Sequence, residues 1–276
     1  MWGYWQPAYR PTPLPAMIEV PLGYQYEGVA ELLGVAQPTY AVQPGHPVQV
    51  TLYWRALQAS ETDLLVYVHS MGTETIRRDS YPATGNLLRW EAGQTWQETH
   101  YIYVPAGTPA QVAFPLVAGL YDAEAARTLS ATNPQGEPVQ PVIGRLAIQG
   151  TPHPDPPYRY RVGEAIGLQP PQLTRQGETL QLCLRWVARQ AVDRDYQVFV
   201  HLYTSGAQPA VQGDHAPPYP TSAWLPGEVV PYCLTLPAVA APARVLLGVY
   251  SLEDGQRLPV CDGANCHDHL ALAVPF

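Results

Sequence analysis

The chain repeats itself, and no other feature constrains its folding as much, because a repeated pattern implies a repeated structural unit. Val48–Trp54 reads V-Q-V-T-L-Y-W, and Leu180–Trp186, at an offset of 132, reads L-Q-L-C-L-R-W. At the same offset D-L-L-V-Y-V-H (Asp63–His69) meets D-Y-Q-V-F-V-H (Asp195–His201). Trp90-Glu91-Ala92-Gly93 meets Trp224-Leu225-Pro226-Gly227 at 134, Val104-Pro105 meets Leu236-Pro237 at 132, and Ala118–Tyr121 meets Leu247–Tyr250 at 129. Matches in one order with small drifts in spacing predict a duplicated fold, and 276 residues suffice for two cores. Between the copies lies Gly150-Thr151-Pro152-His153-Pro154-Asp155-Pro156-Pro157, whose prolines favour a stiff, extended connector. The predicted organisation is an arm over 1–26, a first domain over 27–150 and a second over 151–276.

Within each copy the period is two. Val48, Val50, Leu52 and Trp54 share one face against Gln49, Thr51 and Tyr53, and Leu180, Leu182, Leu184 and Trp186 repeat this against Gln181, Cys183 and Arg185. With 31 Pro and 22 Gly a helical bundle is excluded, while 46% hydrophobic residues, 18 Tyr and 7 Trp leave much to bury. About seven or eight short strands per copy, punctuated by turns such as Pro44-Gly45, Gln176-Gly177 and Asp254-Gly255, predict an all-β chain. The expected architecture is two tandem antiparallel β-sandwiches, immunoglobulin-like or jelly-roll.

Charge narrows the partners. Every one of the 15 cations is Arg, and 23 acids bring the net charge to -8, which disfavours nucleic acid. No stretch reaches the ~18 to 20 apolar residues of a membrane span, and Met1–Pro15 has no signal-peptide pattern, so export or anchoring would depend on a segment not in this sequence. The arm carries Trp2, Tyr4, Trp5 and Tyr9 among prolines, a composition suited to lying in a neighbour's groove or adding a strand to its sheet.

All four cysteines lie in the second copy. Cys183 and Cys233 both fall on the polar side of their strands, where the first copy has Thr51 and Tyr101, so either a cross-strand disulfide or two free thiols results. Cys261 and Cys266 flank the turn-forming Asp-Gly-Ala-Asn. That loop, with Asp262, Asn265, His267, Asp268 and His269, is either a disulfide-closed turn or a weak zinc or calcium set; neither metal spacing is standard, and no metal or cofactor is expected. An even cysteine count suits an oxidising compartment.

Catalytic signatures are missing: there is no G-x-S-x-G, H-E-x-x-H or phosphate loop, and without Lys no Schiff base can form. Asp193-x-Asp195 precedes a strand where a turn is wanted, and His69 and His201, repeated at one position, suit a scaffold role. The candidate ligand-binding residues are Asp214, His215, Tyr219 and Trp224, with Asp79, Tyr81 and Trp90 as the looser set in the first copy. Aromatic rings offer flat faces to sugars, and Asp and His supply directional hydrogen bonds. Trp90 and Trp224 equally suit plugs at the open end of each sandwich.

V-F-V-H-L, Y-P-T-S-A-W-L-P-G-E-V-V and L-L-G-V-Y-S-L-E-D-G-Q-R-L-P-V in the second copy resemble a known module. It is the extracytoplasmic β-sandwich that follows the membrane part of some large bacterial glycosyltransferase-like proteins of the protein mannosyltransferase type. Pro7-Ala8-Tyr9-Arg10-Pro11 resembles the linker before it. The four cysteines and the absent membrane portion depart from that pattern. The resemblance implies location and architecture, an extracytoplasmic β-sandwich module, more than mechanism; the missing catalytic signatures make the expected role a non-catalytic one. The expected partner is a glycan or envelope component; the alternative is a structural subunit whose arm contacts neighbouring proteins.

Overall fold

The computed structural model describes residues 13–59, 64–72, 76–81, 90–239 and 243–274. These residues form an all-β structure with no α-helix among them and one 3-10 turn, Thr221–Ala223. The chain divides into two compact units, one of Met1–Thr108 with Phe114–Leu146, the other of Pro109–Ala113 with Ala147–Phe276. The arm residues Trp2, Tyr4, Trp5 and Tyr9 lie outside the described residues.

The first half of the chain supplies β1 (Val20–Tyr26), β2 (Ala30–Val35), β3 (Thr39–Val42), β4 (Pro47–Ala56), β5 (Leu64–Ser70) and β6 (Arg77–Ser80). It continues with β7 (Thr95–Tyr103), β8 (Val112–Asp122), β9 (Arg127–Thr128), β10 (Ala131–Thr132), β11 (Pro138–Val139) and β12 (Val142–Ile148). One sheet runs β11-β10-β1-β2-β4-β7; the other runs β3-β12-β8-β5-β6, with β9 beside β8. Alternation along β4 buries Val48, Val50, Leu52 and Trp54 and leaves Gln49 and Arg55 outside. Trp54 lies opposite Trp96 on β7, their rings stacked at 6.3 Å, with Tyr26 5.5 Å away.

The second half supplies β13 (Tyr160–Val162), β14 (Ile166–Leu168), β15 (Gln172–Gln176), β16 (Thr179–Ala188), β17 (Tyr196–Tyr203) and β18 (Val211–Gln212). After it come β19 (Val229–Pro237), β20 (Arg244–Ser251), β21 (Val260–Asp262), β22 (Asn265–His267) and β23 (Leu270–Ala273). One sheet runs β15-β16-β14-β13-β21-β22 with β19 also beside β16; the other runs β18-β17-β20-β23. The inward residues of β16, β17 and β20, among them Leu182, Trp186, Val200 and Leu247, form one buried cluster. Ala113 packs on the same cluster, which is why Pro109–Ala113 groups with this unit.

The two units repeat contacts as well as residues. Ala56 N–H donates to Gln94 O (2.8 Å) and Gly93 N–H to Ala56 O (2.8 Å); Ala188 N–H donates to Glu228 O (2.9 Å) and Gly227 N–H to Ala188 O (2.7 Å). Gly93 and Gly227 both take left-handed backbone, φ 84° and 88°, which accounts for glycine in both copies.

Register corrects one expectation. β4 and β7 pair Val48 with Ile102 and Thr51 with Thr99; β16 and β19 pair Leu180 with Leu236 and Cys183 with Cys233. The counterpart of Cys233 is therefore Thr99, not Tyr101, and Leu236 matches Ile102, not Val104. The two extra residues that separate Trp90 from Trp224 carry through the whole following strand, and a slip of two keeps every side chain on its own face.

One strand differs between the units. After β2 the chain crosses to the other sheet, where β3 pairs with β12; after β14 it stays, and β15 pairs with β16.

Candidate functional site

Three of the four rings proposed from sequence as a sugar platform are inside. Trp90 is 2% exposed, Tyr219 2% and Trp224 3%. Trp90 packs 4.0 Å from Trp96, and Trp224 6.2 Å from Tyr219. The Tyr219 hydroxyl donates to Glu228, and burial together with that carboxylate raises its pKa far above the ordinary phenol range. These three residues hold the units together internally, so none of them can meet a ligand at the surface.

The polar candidates are engaged locally. Asp214 Oδ1 lies 2.8 Å from His201 Nε2, and Asp79 Oδ1 lies 2.7 Å from His69 Nε2, the same pair in both units. In each an aromatic ring lies beside the histidine, Phe199 at 5.2 Å and Tyr67 at 4.9 Å. Burial, then Asp214, raises the Tyr250 phenol. His215 approaches Gly213 O with Nδ1 (2.8 Å) and the Tyr232 hydroxyl with Nε2 (3.1 Å), and Trp186 Nε1–H donates to that same hydroxyl at 3.2 Å. Asp195 Oδ1 accepts from Ser222 N–H and Oγ–H, and Asp193 from Arg194 and Tyr196, so the D-x-D carboxylates secure a turn. Tyr81 alone of the proposed rings is exposed, at the end of β6.

Both cysteine pairs are disulfides: Cys183–Cys233 across β16 and β19, and Cys261–Cys266 across the β21–β22 hairpin. The second bond takes the Cys261 and Cys266 sulfurs out of any metal set. In the first unit Thr51 and Thr99 stand where Cys183 and Cys233 do, their hydroxyl oxygens 3.2 Å apart.

The surface that remains is one the sequence reading did not single out by residue. Tyr101 and Tyr103 are 63% and 57% exposed on β7, an end strand of its sheet. They stand about 7 Å apart along the strand on one face. Beside them in register are Gln49 and Thr51 of β4, opposite Tyr101 and Thr99. Arg55, the charged residue of β4 on that face, is held by Glu31, and burial followed by the Glu19 carboxylate raises the phenol of Tyr53 beside it. Two flat rings flanked by neutral donors and acceptors can cover the C–H face of a sugar and hydrogen-bond its hydroxyls. The matching positions in the second unit are Gln181, Cys183, Cys233, Thr235 and Pro237, with no ring. The alternation T-H-Y-I-Y over Thr99–Tyr103 carried the signal, but nothing in the sequence says that the outward face stays uncovered.

No protein-family model matches the sequence, and no curated protein does. Among solved structures, the chain is similar over 93% of its length to a DUF3823 family protein from Parabacteroides merdae, covering 100% of that chain at 10% identity and a TM-score of 0.25. Over 86% of its length it is similar to a "putative carbohydrate binding protein" from Bacteroides uniformis, covering 99% of that chain at 8% identity and a TM-score of 0.22.

Proposed function

We propose that the chain is a tandem of two β-sandwich domains made by duplication, acting as a non-catalytic binding module outside the cytoplasm, and that the outward face of β4 and β7 receives a neutral glycan. The exposed pair Tyr101 and Tyr103, set among Gln49, Thr51 and Thr99, carries this reading. Repeated strand order and repeated turn hydrogen bonds support the duplication. Two disulfides support an oxidising compartment, in keeping with the mannosyltransferase-associated module that the sequence resembles. The His–Asp pairs and the D-x-D carboxylates serve the scaffold, which supports a binding role over a chemical one.

A glycan array followed by calorimetry tests this. Neutral oligosaccharides bind with millimolar to micromolar affinity, about -4 to -8 kcal/mol. Tyr101→Ala and Tyr103→Ala each weaken binding about tenfold, near the value of one stacked ring, with the melting temperature unchanged because both rings are exposed. An array without a neutral glycan among its hits, or an affinity that survives the double substitution, defeats the reading.

A further inference from the structure

We propose that the outer edge of β23 is a strand-addition site for an extended peptide segment of another protein, one carrying an aromatic residue and, two positions on, an aliphatic one. In the first unit β12 lies between β8 and β3, and β3, of sequence T-Y-A-V, buries Tyr40 and Val42. β23 stands beside β20 as β12 stands beside β8, but the strand that would flank it, β15, has remained with β16. Among the described residues nothing pairs with the far side of β23.

The backbone there is ready to bond. Val274 N–H donates to Ala243 O toward the β20 side, so by strand alternation the N–H and C=O of Ala271 and Ala273 face away from it. Ala271 and Ala273 are exposed, and Leu270 and Leu272, turned toward the core, are only half-buried. The strand reads L-A-L-A, without the charge, proline or bulge that protects an edge from pairing. A groove of about 300 Å³ adjoins it, lined by Leu270, Ala271, Tyr160 and Val260 and by the polar Asp262, Asn265, His267 and His269. Its Tyr160, His267 and His269 rings offer packing to an incoming aromatic side chain. Main-chain bonds to Ala271 and Ala273 supply affinity, and this groove supplies selectivity. The site is separate from the glycan face and stands or falls without it.

The sequence of the native flanking strand, Q-P-T-Y-A-V-Q (Gln37–Gln43), is the probe, added in trans to the full chain. Hydrogen exchange followed by NMR reads the edge, and anisotropy of labelled peptide reads affinity. The Ala271 and Ala273 amides exchange freely in the chain alone and slow at least about tenfold with peptide. A peptide with Ser in place of its Tyr, and one N-methylated at alternate residues, each bind about tenfold weaker while the protein is untouched. Ala271→Pro and Ala273→Pro in the protein do the same, each removing one outward donor and no bond to β20. Unprotected amides at saturating peptide, or equal affinity for the N-methylated peptide, overturn the proposal. So does protection without peptide that fades on dilution, which would identify the occupant as a second copy of this chain.

Discussion

Glu228 is fully buried, and its carboxylate accepts from Tyr219 Oη–H, Gly150 N–H (2.8 Å), Gln111 Nε2–H (3.1 Å) and Leu225 N–H (3.0 Å). Four donors satisfy its buried oxygens, and they tie Gln111 and Gly150 to a turn more than seventy residues away. The counterpart in the first unit, Gln94, accepts from Glu91 N–H at its side-chain Oε1, at 3.2 Å. The same turn thus has very different stakes in the two units. Glu228→Ala strands four donors and costs about 3–5 kcal/mol, whereas Gln94→Ala costs less than about 1 kcal/mol; urea denaturation of the two variants compares them. Sequence showed the turn, as the repeated Trp-x-x-Gly, but not its weight, since Gln111 and Gly150 are neighbours of Glu228 only in space. For the same reason Tyr219 reads as a surface ring, and Trp90 and Trp224 read as either surface rings or plugs: aromatic residues in a proline-rich loop look alike whether they face water or the core.

Strands were legible where alternation was strict and illegible where a strand chose between sheets. β4, β5, β16 and β17 show apolar residues at every second place, and they form the centre of each unit. The assignment of Cys233 to Tyr101 was two residues off, yet it kept the sulfurs on the correct face, because the period is two. β3 and β15 are both short but differ in composition: T-Y-A-V buries Tyr40 and Val42 between the sheets, whereas Q-L-T-R-Q has only Leu173 half-buried and stays beside β16. A second device repeats at strand level. Gly119 of β8 faces Tyr67 of β5, and Gly248 of β20 faces Phe199 of β17. A Cβ at Gly248 would lie 2.4 Å from Phe199 Cζ, and one at Gly119 2.7 Å from Tyr67 Oη. The rings lie over the glycines and seal the outward side of each strand pair. Gly248→Ala therefore costs about 1–3 kcal/mol by overpacking. Phe199→Leu in the same chain recovers part of that loss, so a double-mutant cycle by thermal unfolding returns a nonzero coupling; additive losses would show that the ring does not set the requirement for glycine.

At the scale of the whole chain, the matching register of β4 with β7 and of β16 with β19 supplies an internal control for what covalent cross-links contribute. Both disulfides belong to the second unit, and the first carries Thr51 and Thr99 at the place of Cys183 and Cys233. A small exposed pair at this register is therefore compatible with the fold, and the bond in the second unit adds constraint on the unfolded chain rather than shape. For the separation of 50 residues the chain-entropy relation gives about 4 kcal/mol, and for the separation of 5 about 2 kcal/mol. With a core of its own, each unit is expected to unfold in its own transition. Thiol reductant should then lower one denaturant midpoint and leave the other in place, and Cys183→Thr with Cys233→Thr should reproduce the larger part of that shift without reductant. Unfolding followed at tryptophan resolves the two, since Trp54, Trp90 and Trp96 report the first unit and Trp186 and Trp224 the second. A single transition that shifts as one under reductant would mean that the units share their stability, and the Thr51–Thr99 pair would then no longer serve as an independent reference for the disulfide.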